Sequence, residues 1–516
     1  MRKVGGTILG RLGGRHSDPS FREPAGLRGE SAAIEERRVR EMEASATLKF
    51  NYGHIAMPKK SPKSSSVYDG QSTVETEDAD VESPEMMGAS AFARAEGAAP
   101  DPILSMRDAF LADPVADKLN VAVGVYRTAD NKPLVLESVQ EAEAALLSEQ
   151  QAGHTFKEYL PPEGMAPLCA ASLKLLLGDT IASPLAEGRL VSAQSLSGTG
   201  GLHLAARMLS ALLPGATVHL PSPTWPIHPD IFTTCGLRVA SYPYYDASTC
   251  GLNFDAMIAA LCALPVGSIV LLHACAHNPT GVDPTAEQWD EIARAVESRR
   301  LIPLVDAAYQ GFASGDVDED AVGARKLAAI PNAEMVVVQS YSKNMGLYAE
   351  RVGVLSMLCN DPSVAERLRS QLARTIRLTH SSPPQHGAAI VTKILNDPER
   401  ARKWRAEVAG MARRLQEMRS ELHAALERLG CPPPTGTTLT SWDHVLSQRG
   451  MFTYSGLQPR QVEALRVEHH VYMPMDGRIS MASLTRASCQ TLATAIDRVL
   501  RAASAPAENL KRPREP

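Results

Sequence analysis

Lys343 stands in the stretch QSYSKNMGLYAERVG, residues 339–353, among the hydroxyls of Ser340, Tyr341 and Ser342 and eight residues before Arg351. A lysine so placed is by default a surface residue. Its chemical alternative is an amine held for condensation with a carbonyl, and the rest of the chain decides between the two. In SLSGTGGLHLAARMLSALL, the small residues Ser197, Gly198 and Thr199 open directly onto a helical pattern. Free N–H groups at a helix start, flanked by hydroxyls, suit a phosphate, although a plain N-cap has the same appearance. No Gly-Lys dipeptide occurs, which removes the usual nucleotide-triphosphate loop.

Four further signals lie between these two. Trp225, in LPSPTWPIH, is either packing or a flat face for an aromatic ring, and His228 reads as an ordinary loop histidine. In HACAHNPTG, His273 and His277 are four apart, but on a strand running into a turn, where that spacing does not build a metal site. Asn278 either caps that turn or donates its amide to an oxyanion. Asp306 ends an apolar strand in LVDAAYQGFASG, where open α/β sheets bind ligands; a buried carboxylate there needs a cationic or hydrogen-bonding partner. Tyr309 reaches the same place from the turn. A phosphate-ready helix start, a stacking indole, an Asn and a Tyr directed at oxygen, an acid for a pyridinium and a lysine amine together describe pyridoxal phosphate.

The elements that must hold these residues follow from hydrophobic pattern. GSIVLLHACAH, LIPLVDAAY, EMVVVQSYS and VGVLSML read as buried strands alternating with helix-period segments, the mark of a mostly parallel sheet covered by helices. DPTAEQWDEIARAVESR is a crossover helix with a Thr285/Gln288 capping box and a face of Trp289, Ile292, Ala293 and Val296. From Trp404 to Leu429 apolar residues recur every three or four positions until Gly430, predicting a helix roughly 45 Å long at 1.5 Å per residue. The remainder reads as a smaller α+β domain. The expected division is an N-terminal extension at 1–95, an arm and the first part of the small domain at 96–133, a large domain at 134–410, the small domain at 411–505 and a tail at 506–516.

Over 516 residues, 44% hydrophobic and 22% charged composition is that of a globular protein, and a net charge of -5 gives no reason to expect nucleic acid. No uninterrupted apolar run reaches the roughly 18 to 20 residues of a membrane span, so no membrane partner is expected. Eight scattered cysteines without Cys-x-x-Cys spacing favour reduced thiols. The first ~95 residues lack Trp and Cys and contain KKSPKSSS followed by an acidic run, so disorder is expected there. Its basic start could be a transit peptide; a cytoplasmic location is expected, with a mitochondrion or other organelle as the alternative.

Taken together, VGVYR, EYLP, SLSGTGG, SPTW, HACAHNPTG, DAAYQGFASG, SYSKNMGLYAERVG and GRIS, in this order over roughly residues 100–500, resemble the class I aminotransferases, and the aspartate aminotransferase branch most closely. The resemblance implies fold type I of the pyridoxal-phosphate enzymes: an α/β large domain plus a smaller α+β domain. It makes Lys343 the lysine that binds the cofactor, Asp306 the partner of the ring nitrogen, Tyr309 and Asn278 the donors to the ring oxygen, and Trp225 the stacking ring. Ser197, Gly198, Thr199, Ser340 and Arg351 become the phosphate cradle. Arg478, with the backbone of Gly124, matches the group that holds the substrate α-carboxylate, and Arg377 the one that holds the side-chain carboxylate. The counterparts of Tyr159 and Arg377 come from the neighbouring subunit, so a homodimer is implied. The implied reaction passes an amino group between L-aspartate and 2-oxoglutarate, dicarboxylic amino acids and 2-oxo acids being the partners. An aromatic-amino-acid aminotransferase and a catalytically silent scaffold on the same fold are the alternatives. His380 and Ser382 stand where the family often has tryptophan and asparagine.

Overall fold

The four buried strands predicted from sequence are joined by three others in one seven-stranded sheet in the computed structural model, which describes residues 103–504 apart from 155 and 156, together with residues 92, 94–98 and 101. The expectations for the N-terminal extension and the C-terminal tail fall almost wholly outside the described residues. In chain order the strands are β1 (Leu190–Leu196), β2 (Thr217–Ser222), β3 (Arg238–Pro243), β4 (Ile269–His273), β5 (Ile302–Ala307), β6 (Met335–Ser340) and β7 (Val352–Leu358). They lie side by side in the order β1-β7-β6-β5-β4-β2-β3. Every residue of β4, β6 and β7 is buried, because helices cover both faces, and this is why these strands read as continuous apolar runs rather than as alternation.

One strand departs from the parallel arrangement. β7 runs antiparallel to both neighbours, pairing Gly353 with Ser340 on β6 and with Ser195 on β1. The 341–351 segment holds no helix and is too short for the crossover that a parallel strand requires. The consequence is functional: the start of β7 lies at the same edge as the ends of β1 and β6, so Arg351 arrives beside Ser197 and Ser340.

The helices that matter are α1 (Ala166–Leu177), α2 (Ser197–Leu212), α3 (His228–Thr234), α4 (Ala286–Arg299), α5 (Pro362–Thr379) and α6 (Pro398–Arg428). α4 carries the predicted capping box, with the Thr285 side chain accepting from the Gln288 N–H and the Gln288 side chain from the Thr285 N–H. Trp289, Ile292, Ala295 and Val296 form its buried face. α6 buries Trp404, Val408, Met411, Leu415, Met418, Leu422 and Leu426 on one stripe and ends before Gly430, which takes φ +55°. Arg419 falls on that same stripe and is 1% exposed.

Beside the sheet lies the smaller α+β domain. Here β8 (Phe452–Tyr454) pairs antiparallel with β9 (Arg478–Ser480), and α7 (Pro459–His469) packs on α8 (Arg486–Ser504). Arg478 is the first residue of β9, opposite Tyr454. Among the described residues, Ala166–Ala186 is long and apolar enough on average to span a membrane, but half of its most apolar window is buried in the protein. It is two helices joined by a 3₁₀ turn at Gly178, and α1 supplies the core contacts Leu168, Leu173 and Leu176. The eight cysteines are all free thiols, and six are buried.

Candidate active site

The C-terminal edge of the sheet holds a cavity of about 150 Å³, lined by residues from six different chain segments. Backbone geometry at the end of β1 begins it. Ser197 starts α2 with φ +60°, a left-handed conformation costly for a residue with a Cβ, which turns the helix start and its hydroxyl into the cavity. The Ser197 hydroxyl lies 2.8 Å from the Ser340 hydroxyl and 2.7 Å from that of Ser342. Arg351, also left-handed at φ +52°, donates through Nη1 to the Ser342 hydroxyl (3.3 Å) and the Tyr348 carbonyl (3.0 Å). Glycine is required at 353: a Cβ there would stand 2.4 Å from the Gln339 carbonyl oxygen and 2.9 Å from Ser197 Cα. The close approach of β7 to the β1–α2 turn draws three hydroxyls and a guanidinium into one patch. That patch is complementary to a phosphate.

At the end of β5, Asp306 is 9% exposed and has its partner in the protein itself. His228 Nε2, with no hydrogen bond of its own, lies 3.3 Å from Asp306 Oδ2. The reading of His228 as an ordinary loop histidine is therefore corrected. It is the first residue of α3, wholly buried, and aimed at the acid because the Trp225–His228 turn folds it inward. Its Nδ1 is bonded to the Thr224 hydroxyl at 2.8 Å, which is also 3.3 Å from His273 Nε2, while His273 Nδ1 accepts the Asn278 N–H at 3.3 Å. His228, His273 and Asp306 hold ligand-type atoms within 4.8 Å of one another, yet three of the four ring nitrogens are already hydrogen-bonded, which makes the group a relay that orients the acid. Burial lowers His273 to about 3, against the opposing Asp306 carboxylate and with the help of His228, so it is neutral at any physiological pH.

Lys343 sits between these two ends. Its Nζ donates to the Gly124 carbonyl at 2.9 Å and lies 5.1 Å from the ring of Tyr348. Burial lowers its amine to about 8, with the charges of Arg478 and Arg351 adding to the effect. The fraction of neutral, nucleophilic amine is thus far larger at neutral pH than for an exposed lysine. Tyr309, buried at the same level, has its hydroxyl pushed upward by loss of solvent and stays a donor.

Of the residues singled out in the sequence, Ser197, Gly198, Thr199, Trp225, Asn278, Asp306, Tyr309, Ser340, Lys343 and Arg351 line this one cavity. Gly124 and Arg478 join it by contact. Arg478, 3% exposed, donates to Asn278 Oδ1 (3.1 Å) and to the Ala122 carbonyl (2.9 Å), and its Nε has no partner. Phe452 packs 4.2 Å from its guanidinium and would touch any Cβ at Gly124 at 2.8 Å. Tyr159 and Arg377 do not line the cavity. Tyr159 is 87% exposed, and Arg377 is exposed in the last turn of α5, where it donates to the Ser381 hydroxyl. His228, His273, Thr224, Ser342 and Tyr348 were missed as site residues. A histidine three positions after a loop tryptophan was the available hint for the first, and the others carried none.

The model of the family "Aminotransferase class I and II" matches residues 116–496. The chain belongs to this family. The cytoplasmic aspartate aminotransferase of Oryza sativa subsp. japonica is 46% identical to it over 412 residues, covering 80% of this chain and 98% of that protein. Aspartate aminotransferase 3, chloroplastic, of Arabidopsis thaliana is also 46% identical, covering 80% of this chain and 89% of its own length. Among solved structures, the aromatic-amino-acid aminotransferase from Burkholderia pseudomallei, covalently bound to pyridoxal phosphate, superposes with a TM-score of 0.75 at 42% identity, covering 80% of this chain and all of that one. This aminotransferase fits the same cofactor by its own residues: an acid backed by a buried histidine pair at one end, a hydroxyl and guanidinium patch at the other, and a half-buried amine between them.

Proposed function

We propose that the protein transfers the amino group of L-aspartate to 2-oxoglutarate, giving oxaloacetate and L-glutamate, with pyridoxal phosphate as cofactor. The observation that carries this reading is the convergence of Lys343, Asp306 and the Ser197–Ser340–Arg351 patch on one cavity, with the orphaned Nε of Arg478 beside it. When bound, the cofactor withdraws electrons from the substrate α-carbon and so makes its proton removable.

Ser197, Gly198, Thr199, Ser340 and Arg351 would hold the phosphate, and Trp225 would stack on the ring. Asp306, kept in place by His228, would partner the ring nitrogen and favour its protonated form. Asn278 and Tyr309 would donate to the ring oxygen. Arg478 grips the substrate α-carboxylate through paired N–H groups, with the Gly124 backbone beside it. The Lys343 amine, lowered by burial, accepts the proton from the substrate α-carbon as general base. The two half-reactions give ping-pong kinetics.

Arg377 takes the substrate's second carboxylate, and Tyr159 completes the phosphate end, each from the neighbouring copy of a homodimer. Their exposure, away from the cavity of their own chain, supports this assignment. The domain division at 134–410 and 411–505 belongs to the same proposal, with α6 running unbroken across the boundary. The compartment is proposed as the cytoplasm, like that in the name of the rice relative, with an organelle as alternative; mass spectrometry of the mature N-terminus tests it.

A second reading, preference for aromatic amino acids, is favoured by the Burkholderia structure and by His380 in place of tryptophan. Measurement of kcat/KM for aspartate and for phenylalanine separates the two, and a preference for phenylalanine overturns the first.

A further inference from the structure

Behind the active site, two adjoining cavities of about 530 and 880 Å³ share Ala313, Glu319, Ser447 and Arg449 as walls. The larger is lined by three arginines: Arg413 and Arg419 from α6, and Arg449 from the loop before β8. Arg413 and Arg449 are exposed, and neither side chain makes an ion pair or hydrogen bond among the described residues. Arg419 is almost fully buried, and although its Nη2 donates to the carbonyls of Gly450 (2.8 Å) and Phe452 (2.7 Å), its Nε has no partner.

The acids of this cleft are already committed. Asp320 accepts the N–H groups of Gly311, Ala313 and Ser314, and Asp283 those of Ala276 (2.6 Å) and His277 (2.9 Å). Asp316 accepts from Asp318 and Glu319. Only Glu319 has an unengaged carboxylate among these lining residues. Asp283 also faces Arg419 and Arg449 electrostatically, but the side-chain donors of Arg413 and Arg449 and the Arg419 Nε remain without hydrogen-bond partners, and such donors suit an anion.

The loop that carries Arg449 abuts the turn that leaves the active site. The Arg449 N–H donates to the Gly281 carbonyl at 2.6 Å, in the turn that follows Asn278. Gly281 is pressed so closely on this loop that a Cβ would lie 2.8 Å from the Phe452 oxygen and 2.9 Å from the Arg449 oxygen. Phe452 in turn carries the ring packed on Arg478. A charge held by Arg419 and Arg449 therefore acts on the backbone that positions Phe452, Arg478 and Asn278.

We propose that this cleft binds a small polyanion, a molecule with two or more phosphate or carboxylate groups, and that its occupancy changes the active site's affinity for its dicarboxylate substrate. The second part rests on the function proposed above, and the first does not. The test is calorimetric titration of the cofactor-loaded full chain with inorganic pyrophosphate, and in parallel with citrate, at low salt and with saturating succinate present to fill the substrate subsites. One saturable site for either probe is expected, with the responding probe telling phosphate from carboxylate chemistry. Arg413→Gln and Arg449→Gln should each weaken it about tenfold, and Glu319→Gln should tighten it severalfold. Absence of saturable binding, displacement by succinate, or equal binding in both arginine variants overturns the site. The KM for aspartate should shift at least about threefold with the bound probe in the wild type and stay fixed in Arg449→Gln. A KM unmoved in the wild type overturns the coupling. Saturable binding by a protein that does not turn over aspartate sinks the proposed reaction and leaves the site standing.

Discussion

Ser197 and Ser340 are 2% and 6% exposed, locked to each other by a hydroxyl contact at the ends of β1 and β6, the two strands that flank β7, whereas Tyr159 is 87% exposed and Arg377 projects from the last turn of α5. The resemblance assigns all four to one site. The first pair belongs to a patch assembled within one chain, built where strand ends and a helix start meet. The second pair is unfinished. On the proposed reading, most of the cofactor site is built by the single fold, while Tyr159 and the grip on the second carboxylate come from an assembly.

The largest effect that bears on this contrast is expected at Lys343→Ala, which removes the amine from the half assembled within one chain. Turnover should fall by about 10⁴-fold or more, and the visible absorption of the cofactor-loaded protein should vanish. Borohydride trapping with peptide mapping should place the label on Lys343 in the wild type; a label elsewhere breaks the account.

Asp306→Asn should lower kcat by about 10³-fold while leaving the phosphate patch able to hold cofactor. His228→Ala acts through the acid's position and should cost less, so an equal loss at both would show His228 to matter for more than orientation.

The arginines divide the two regions directly. Arg478→Ala should reduce kcat/KM by about 10² to 10³ for every amino acid, and Arg377→Ala by a comparable factor for aspartate alone. If Arg377 serves the neighbouring copy, mixing Lys343→Ala chains with Arg377→Ala chains should restore activity that neither has alone. No recovery would place Arg377 in its own chain's site or outside catalysis.

A smaller effect concerns pH. Only the neutral amine condenses with an aldehyde, and burial lowers Lys343 to about 8, so the rate at which the apoprotein takes up pyridoxal phosphate should climb with pH, pass half its maximum at about 8 and level off above that. A climb that continues toward the ~10.4 of a free lysine would show the amine to be solvated in solution. The smallest expected change is at the rim: His380→Trp with Ser382→Asn should move the aspartate-to-phenylalanine preference only severalfold.

Particular residues show what was legible beforehand. β4, β5, β6 and β7 were visible as apolar runs, α4 through its capping box, and α6 through a period maintained until Gly430, since these signals are local. Arg419 broke the apolar stripe of α6 without notice, because its partners, the Gly450 and Phe452 carbonyls, lie about thirty residues away in the chain. His228 looked like a loop residue because the acid it serves, Asp306, is brought near only when β2 and β5 enter the same sheet.

The order of residue types alone determined four buried strands, the starts of α2 and α4 and the inventory of chemistry: one amine, one strand-end acid, and hydroxyls at a helix start. Those follow from propensity and periodicity, which act over a few residues. Only the tertiary structure decided the reversal of β7 that sets Arg351 beside Ser197, the burial that lowers the Lys343 amine, and the separation of Arg377 from the cavity. Each depends on groups far apart in the chain, where desolvation and close contact exist only after the chain has packed.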